Sequence, residues 1–222
     1  MTVTPSQRPD SDPDHINHSS GNGRPCTAGI AQWKLGPELR WFMATVREDF
    51  GVNRRQLAAP GFQAVVVYRF GVWIRAMPRV LRYPLTVVYR LAYLVMRNIY
   101  GIELPRSAQI GRRLKIPHQG AIVVSPESRL GDDCLIRQSV TVGRFNRGRK
   151  RKPPYAPTIG NGVELGAGAV VVGGITIGDR ARIGPNAVVM MDVPAGGSAF
   201  AAPAKIMGPL GGGPARSAGE GT

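Results

Sequence analysis

The side chains suited to chemistry in this 222-residue sequence are few, and their positions limit what the chain does. It has three histidines, His15, His18 and His118, and two cysteines, Cys26 and Cys134. Two cysteines so far apart supply neither a disulfide framework nor the paired spacing of a zinc site, so a reducing, cytoplasmic setting is expected. Charge says more: 29 Lys+Arg against 14 Asp+Glu give a formal +15, which points to an anionic partner such as nucleic acid, a membrane surface or a phosphorylated ligand. The excess is concentrated in two places. Phe50 to Ile102 holds eight arginines and no acid. Arg144, Arg147, Arg149, Lys150, Arg151 and Lys152 form a second acid-free run. Together the two regions carry +14.

The elements that must position these groups are of two kinds. Twelve aromatic residues, from Trp33 to Tyr100, precede Gly101, and only Phe145, Tyr155 and Phe200 follow it. The aromatic half reads as helices: Pro37 to Phe50, then about Gly61 to Met77, then Leu85 to Tyr100 after a break at Pro84. Apolar residues recur there at three to four spacing, as in Val67, Phe70, Trp73 and Ile74. Arginines at 69, 75, 79, 82, 90 and 97 interrupt the apolar stretch, so a span of about 20 apolar residues is not available. Packed helices with solvated arginines are the expectation, and peripheral contact of a basic helix with an anionic membrane is a secondary one.

In the aliphatic half, residues recur every six positions: Leu104, Ile110, Ile116 and Ile122, then, after a two-residue slip, Leu130, Ile136 and Val142. The series resumes at Ile159 and runs through Leu165, Val171, Ile177 and Ile183 to Val189. Glycine often follows the aliphatic, as at Gly111, Gly131 and Gly160, and a small residue often stands four positions after it, as at Ala108, Cys134, Ala169 and Ala181. A period of six fits neither an α-helix nor a hairpin array. It fits a parallel β-helix in which each short strand sends one aliphatic inward and three hexapeptides complete a turn. A narrow triangular prism filled with Ile, Leu and Val also explains the missing aromatics. The domain plan is a disordered leader (1–30) without the apolar stretch of a secretory signal, a small α-helical domain (31–101), the prism (102–207) with a protruding loop (144–158), and a flexible tail (208–222). Burying a prism face around a threefold axis makes a homotrimer, or a dimer of trimers, the expected assembly.

Several stretches bear on kinship. They are Pro60-Gly61-Phe62-Gln63 with Tyr68-Arg69-Phe70-Gly71, Ile116 to Val124, Gln138 to Gly143, Pro157-Thr158-Ile159-Gly160, and Asp192-Val193-Pro194 with Pro203-Ala204-Lys205-Ile206. In these the chain resembles the hexapeptide-repeat acyltransferases with left-handed parallel β-helices, within them serine acetyltransferase and the related acyltransferases of polysaccharide gene clusters. The resemblance implies attack of an acceptor hydroxyl on the thioester of acetyl-CoA as co-substrate; no metal is expected, because the zinc sites known on such prisms take three histidine ligands and only His118 lies between the tails. A hydroxyl is a poor nucleophile at neutral pH, and an imidazole is the economical general base. His118 matches the family's catalytic histidine.

By the same resemblance Gly143, Ala167 and Pro185 are candidate CoA contacts; the Lys205 ammonium is a candidate partner of the nucleotide phosphates, and the Tyr155 hydroxyl a candidate acceptor contact. Two departures bear on the acceptor. The family's aspartate before the catalytic histidine is replaced by Pro117, and its second histidine before the Pro-x-Ile-Gly resumption is replaced by Tyr155 and Ala156. L-Serine, giving O-acetylserine, is the first acceptor expected, and a sugar hydroxyl in polysaccharide biosynthesis is the alternative. A non-catalytic binder of membrane or anions ranks below both. Nucleic acid is not an expected partner, because the aromatics belong to the helical core and leave no stacking platform beside the basic loop.

Overall fold

The computed structural model describes residues 35–53, 55–145 and 155–204. The leader, the run from Arg147 to Lys152, Lys205 and the tail lie outside the described residues.

Three helices come first. Helix α1 spans Leu35–Val52, α2 Pro60–Ile74 and α3 Arg79–Asn98. Helix α2 starts where the sequence places it, with Pro60 in the first turn, where a missing N–H costs nothing. Pro84, expected to break the chain, lies inside α3. Its ring removes one bond, the one to the carbonyl of Val80, and Val80 is 86% exposed, so water reaches that carbonyl and the helix continues.

The rest of the chain winds into a left-handed parallel β-helix of three faces. The first face stacks β1 (Ile102–Glu103), β3 (Ile122–Val124), β6 (Thr141–Gly143), β9 (Val170–Val172) and β12 (Val188–Val189). The second stacks β2 (Gln109–Ile110), β4 (Arg129–Leu130), β7 (Thr158–Ile159) and β10 (Thr176–Ile177). The third stacks β5 (Leu135–Ile136), β8 (Glu164–Leu165), β11 (Arg182–Ile183) and β13 (Ser198–Ala199). Every pairing is parallel and joins one coil to the next, as in Val142↔Val171 and Ile159↔Ile177.

The six-residue aliphatics fill the prism, with Ile122, Ile136, Val142, Leu165, Val171 and Ile177 all fully buried. The small residues sit inside the corners, where Cys134, Ala169 and Ala181 are buried. The glycines after the aliphatics allow the coils to stack. A Cβ on Gly131 would stand 2.7 Å from the backbone of Gly160 one coil on, and Gly166 faces the nitrogen of Pro185 at the same distance.

The structure corrects the position of the slip. Lys115 pairs with Leu135 and Val124 with Val142. Two more residues therefore separate Ile116 from Val124 than separate Ile136 from Val142. They lie before Ile122, in the corner at 117–121, and not after it. Ile122 and Val124 are both buried along a three-residue strand, so the aliphatic pattern alone cannot tell which of them is in register.

The helices share the prism's apolar cluster through Ala64, Val65, Tyr68, Val72 and Met96. They are also tied to its first coil by polar contacts. The Tyr68 hydroxyl donates to the Ala108 carbonyl (2.9 Å) and accepts from the Ile110 N–H (3.0 Å). Arg69, expected to be solvated, is 1% exposed and donates to Asp49 (Nε–Oδ2 2.8 Å) and to the carbonyls of Ile110 and Gly111.

Candidate active site

His118 stands on the corner that leads from the third face to the first, in the segment widened by the two extra residues. Its side chain is exposed. Gly120 and Ala121 hold the corner in backbone conformations with positive φ, +110° and +49°. Ala121 packs on Gly101, which has no Cβ to obstruct it.

The helices fix the approach to this corner. The Asn53 side chain accepts from the Ile116 N–H (2.9 Å), two residues before His118, and donates to the Leu114 carbonyl (2.8 Å). Asp49 accepts from the Leu114 N–H (3.2 Å). Gly61 lies flat on Ile116, where a Cβ would overlap the carbonyl oxygen and stand 2.8 Å from the Ile116 Cβ. The Asp49 carboxyl is pulled both ways: burial raises its pKa above the usual range, while Arg69 and the Leu114 N–H oppose the rise.

Ala167 and Pro185 stand on the same edge as His118. Backbone hydrogen bonds stack its corners: Ser139 N–H to the Gly120 carbonyl (2.8 Å), Gly168 N–H to Gln138 (3.0 Å), Asn186 N–H to Ala167 (2.9 Å). Gly143 and Tyr155 stand on the next edge, where the chain leaves the first face. There the Arg144 guanidinium lies over the Tyr155 ring at 5.6 Å, and Arg144 pairs with Glu127 at 3.0 Å. One face, with strands of up to three residues at about 3.3 Å each, separates the two groups. The sequence-predicted residues that are described are therefore brought together in two sets within one chain, not in one; Lys205 lies outside the described residues.

A cleft of ≈ 300 Å³ opens at the second edge, lined among others by Tyr93, Glu103, Val123, Ser125, Gly143 and Arg144. The Ser125 hydroxyl is buried there without a hydrogen-bond partner. Glu103 pairs with Arg97 at 3.3 Å and lies beside Val123 across the first face. Sequence reasoning did not single out Glu103, Ser125 or Asn53. The offset that brings Glu103 beside Val123 includes the misplaced slip, and Asn53 lies more than sixty residues from its partners on the first coil, Leu114 and Ile116. For Arg69 a signal was present: a charge in a strongly apolar stretch, with the nearest acid on the preceding helix.

The family described as "Bacterial transferase hexapeptide (six repeats)" matches residues 156–190. A serine acetyltransferase of Helicobacter pylori (strain J99) is 38% identical over 151 residues, which cover 68% of this chain and 83% of the relative. An Escherichia coli K12 protein provisionally named a colanic acid biosynthesis acetyltransferase is 43% identical over 94 residues, 42% of this chain and 54% of the relative. Among solved structures, soybean serine acetyltransferase apoenzyme superposes with a TM-score of 0.59 at 26% identity, over 75% of this chain and 69% of that one. The chain spans little more than half the length of several curated relatives, 58% and 54% in two cases.

Proposed function

The chain belongs to the serine acetyltransferase family of hexapeptide-repeat acyltransferases, and on that premise we propose that it transfers an acetyl group from acetyl-CoA to a hydroxyl, with L-serine as acceptor and O-acetylserine as product. The observation that carries the reading is the exposed His118 on a corner two residues wider than its counterpart, whose approach is held by Asp49 of α1 and by Asn53 just after it. In the reaction the His118 imidazole takes the proton of the acceptor hydroxyl as its oxygen attacks the thioester carbonyl. The C–S bond then breaks, and the thiolate of CoA leaves and is reprotonated. Gly143, Ala167 and Pro185 would line the pantetheine, Lys205 would meet the nucleotide phosphates, and Tyr155 would contact the acceptor.

The split of these residues between two edges supports a site completed between prisms of a homotrimer, the His118 edge of one chain facing the Gly143 edge of the next. A reducing cytoplasm suits the two cysteines and the co-substrate. A second acceptor class, a sugar hydroxyl, is favoured by Pro117 and by Tyr155 with Ala156 where the resemblance leads one to expect an acid and a second histidine, and by the 43% identity to the Escherichia coli protein.

Purified protein with acetyl-CoA and L-serine should release CoA thiol. Release with nucleotide sugars or oligosaccharides but not with serine would replace the first acceptor by the second, and release with neither would overturn the transferase reading.

A further inference from the structure

Helix α3 presents an outward apolar face that no described residue covers. Val80, Val87, Leu91 and Leu94 fall on one stripe, and they are 86%, 45%, 60% and 45% exposed. Tyr83 (79%) and Val88 (54%) widen it. Only Tyr89 and Met96 of this helix are buried, on its opposite side. At 100° per residue Arg79, Arg90 and Arg97 line up in one row roughly 100° round from the stripe's centre. Arg79, Arg82 and Arg90 have no acidic partner among the described residues. No helix among the described residues is long and apolar enough to cross a membrane.

An apolar stripe flanked by a row of arginines of which Arg79 and Arg90 are unpaired, on a helix without a single acid, is the pattern of a helix lying in a lipid headgroup layer. A second copy of the chain is a poorer occupant. Pairing α3 antiparallel with its own symmetry mate would bring the arginine rows together, and a parallel pairing would set each row against a flank equally without acids, since none lies between Phe50 and Ile102. Anionic headgroups complement the row while the stripe enters the acyl boundary. The helix also lines the cleft through Tyr93. A chain docked on α3 would hold that cleft within about one helix diameter, roughly 10 Å, of the headgroups.

We propose that α3 is a docking helix that seats this protein on an anionic lipid surface. The proposal does not depend on the acceptor or on acetyl transfer. Its test is co-sedimentation of the full chain with vesicles of phosphatidylcholine alone and of phosphatidylcholine with about a third phosphatidylglycerol. Binding to the anionic vesicles is expected to be at least about tenfold tighter and to weaken with salt. Val87→Asp/Leu91→Asp should abolish it, and Arg79→Ser/Arg90→Ser should weaken it by about fivefold per arginine. All four side chains are exposed, and unchanged circular dichroism and thermal unfolding would verify that the variants fold. Equal binding to both vesicle types, or anionic binding that survives Val87→Asp/Leu91→Asp, would overturn the proposal. So would a change of molecular mass on gel filtration in that variant with vesicle binding intact, which would assign the face to a contact between copies.

Discussion

His118 and Cys134 illustrate what a single side chain's surroundings decide. His118 is exposed on its corner, so His118→Ala removes the imidazole without opening a cavity. Turnover should fall about 100-fold or more with CoA binding retained, measured by thiol release and by calorimetry, and unchanged turnover would take His118 out of the mechanism. Cys134 faces the opposite situation. It is 1% exposed, and burial pushes its thiol up to about 11. The unfolded thiol, near 8.5, loses its proton first. Between about 8.5 and about 11 the folded state therefore binds one more proton, and stability falls as pH rises. In reducing buffer the wild-type protein should lose up to about 1 kcal/mol per pH unit relative to Cys134→Ala in that window, read from urea unfolding at pH 8, 9 and 10. A difference between the two proteins that stays flat with pH would mean that the thiol ionises as freely folded as unfolded. The sequence shows Cys134 as a small corner residue of the repeat, and so its burial; it also isolates His118 as the one imidazole between the tails. It cannot show what holds His118, because the holding groups reach it through tertiary contacts.

At the scale of elements the prism was legible and its junction with the helices was not. The six-residue period reports a local rule, one inward aliphatic per strand, that needs no long-range information to be read. The clamp of α2, α1 and the residue after α1 on the first coil is a set of contacts forty or more residues apart in sequence, Arg69 to Gly111 and Asn53 to Ile116 among them. Helix ends were missed for a similar reason: water at an exposed carbonyl offsets the broken bond at Pro84, and exposure is a tertiary property. The helix–prism junction gives a sharp prediction at Gly61. Its missing Cβ allows α2 to lie on Ile116, two residues before His118. Gly61→Ala meets backbone there, not the end of a flexible side chain, so helix or corner must move. Thermal or denaturant unfolding should show a loss of about 1–3 kcal/mol, and turnover should drop further than the folded fraction does. Gly51→Ala, on α1 with nothing within 4 Å of its would-be Cβ, is the matched control and should leave both unchanged or slightly raise stability.

For the whole molecule, the two sets of candidate residues are the feature to explain. His118, Ala167 and Pro185 share one edge, Gly143 and Tyr155 share the next, and the first face lies between them. In the proposed ring of three prisms one edge of each chain would meet the other edge of its neighbour, and both sets would then enclose a single groove, three times over. Complementation between inactive chains tests this. His118→Ala removes the base from one edge. Gly143→Leu obstructs the other: a Cβ on Gly143 meets only Thr141 and Val172, at an ordinary 3.6 Å, so the backbone can take a side chain there, and unchanged circular dichroism would verify that the variant folds. Each variant alone should be nearly inactive. In trimers assembled at random from equal amounts of both, an interface is intact when its His118 edge comes from a Gly143→Leu chain and its Gly143 edge from a His118→Ala chain. That holds for about a quarter of interfaces, so co-expressed protein should recover about a quarter of wild-type turnover. A site contained within one chain gives no recovery, because every chain in the mixture then carries a defect in its own site.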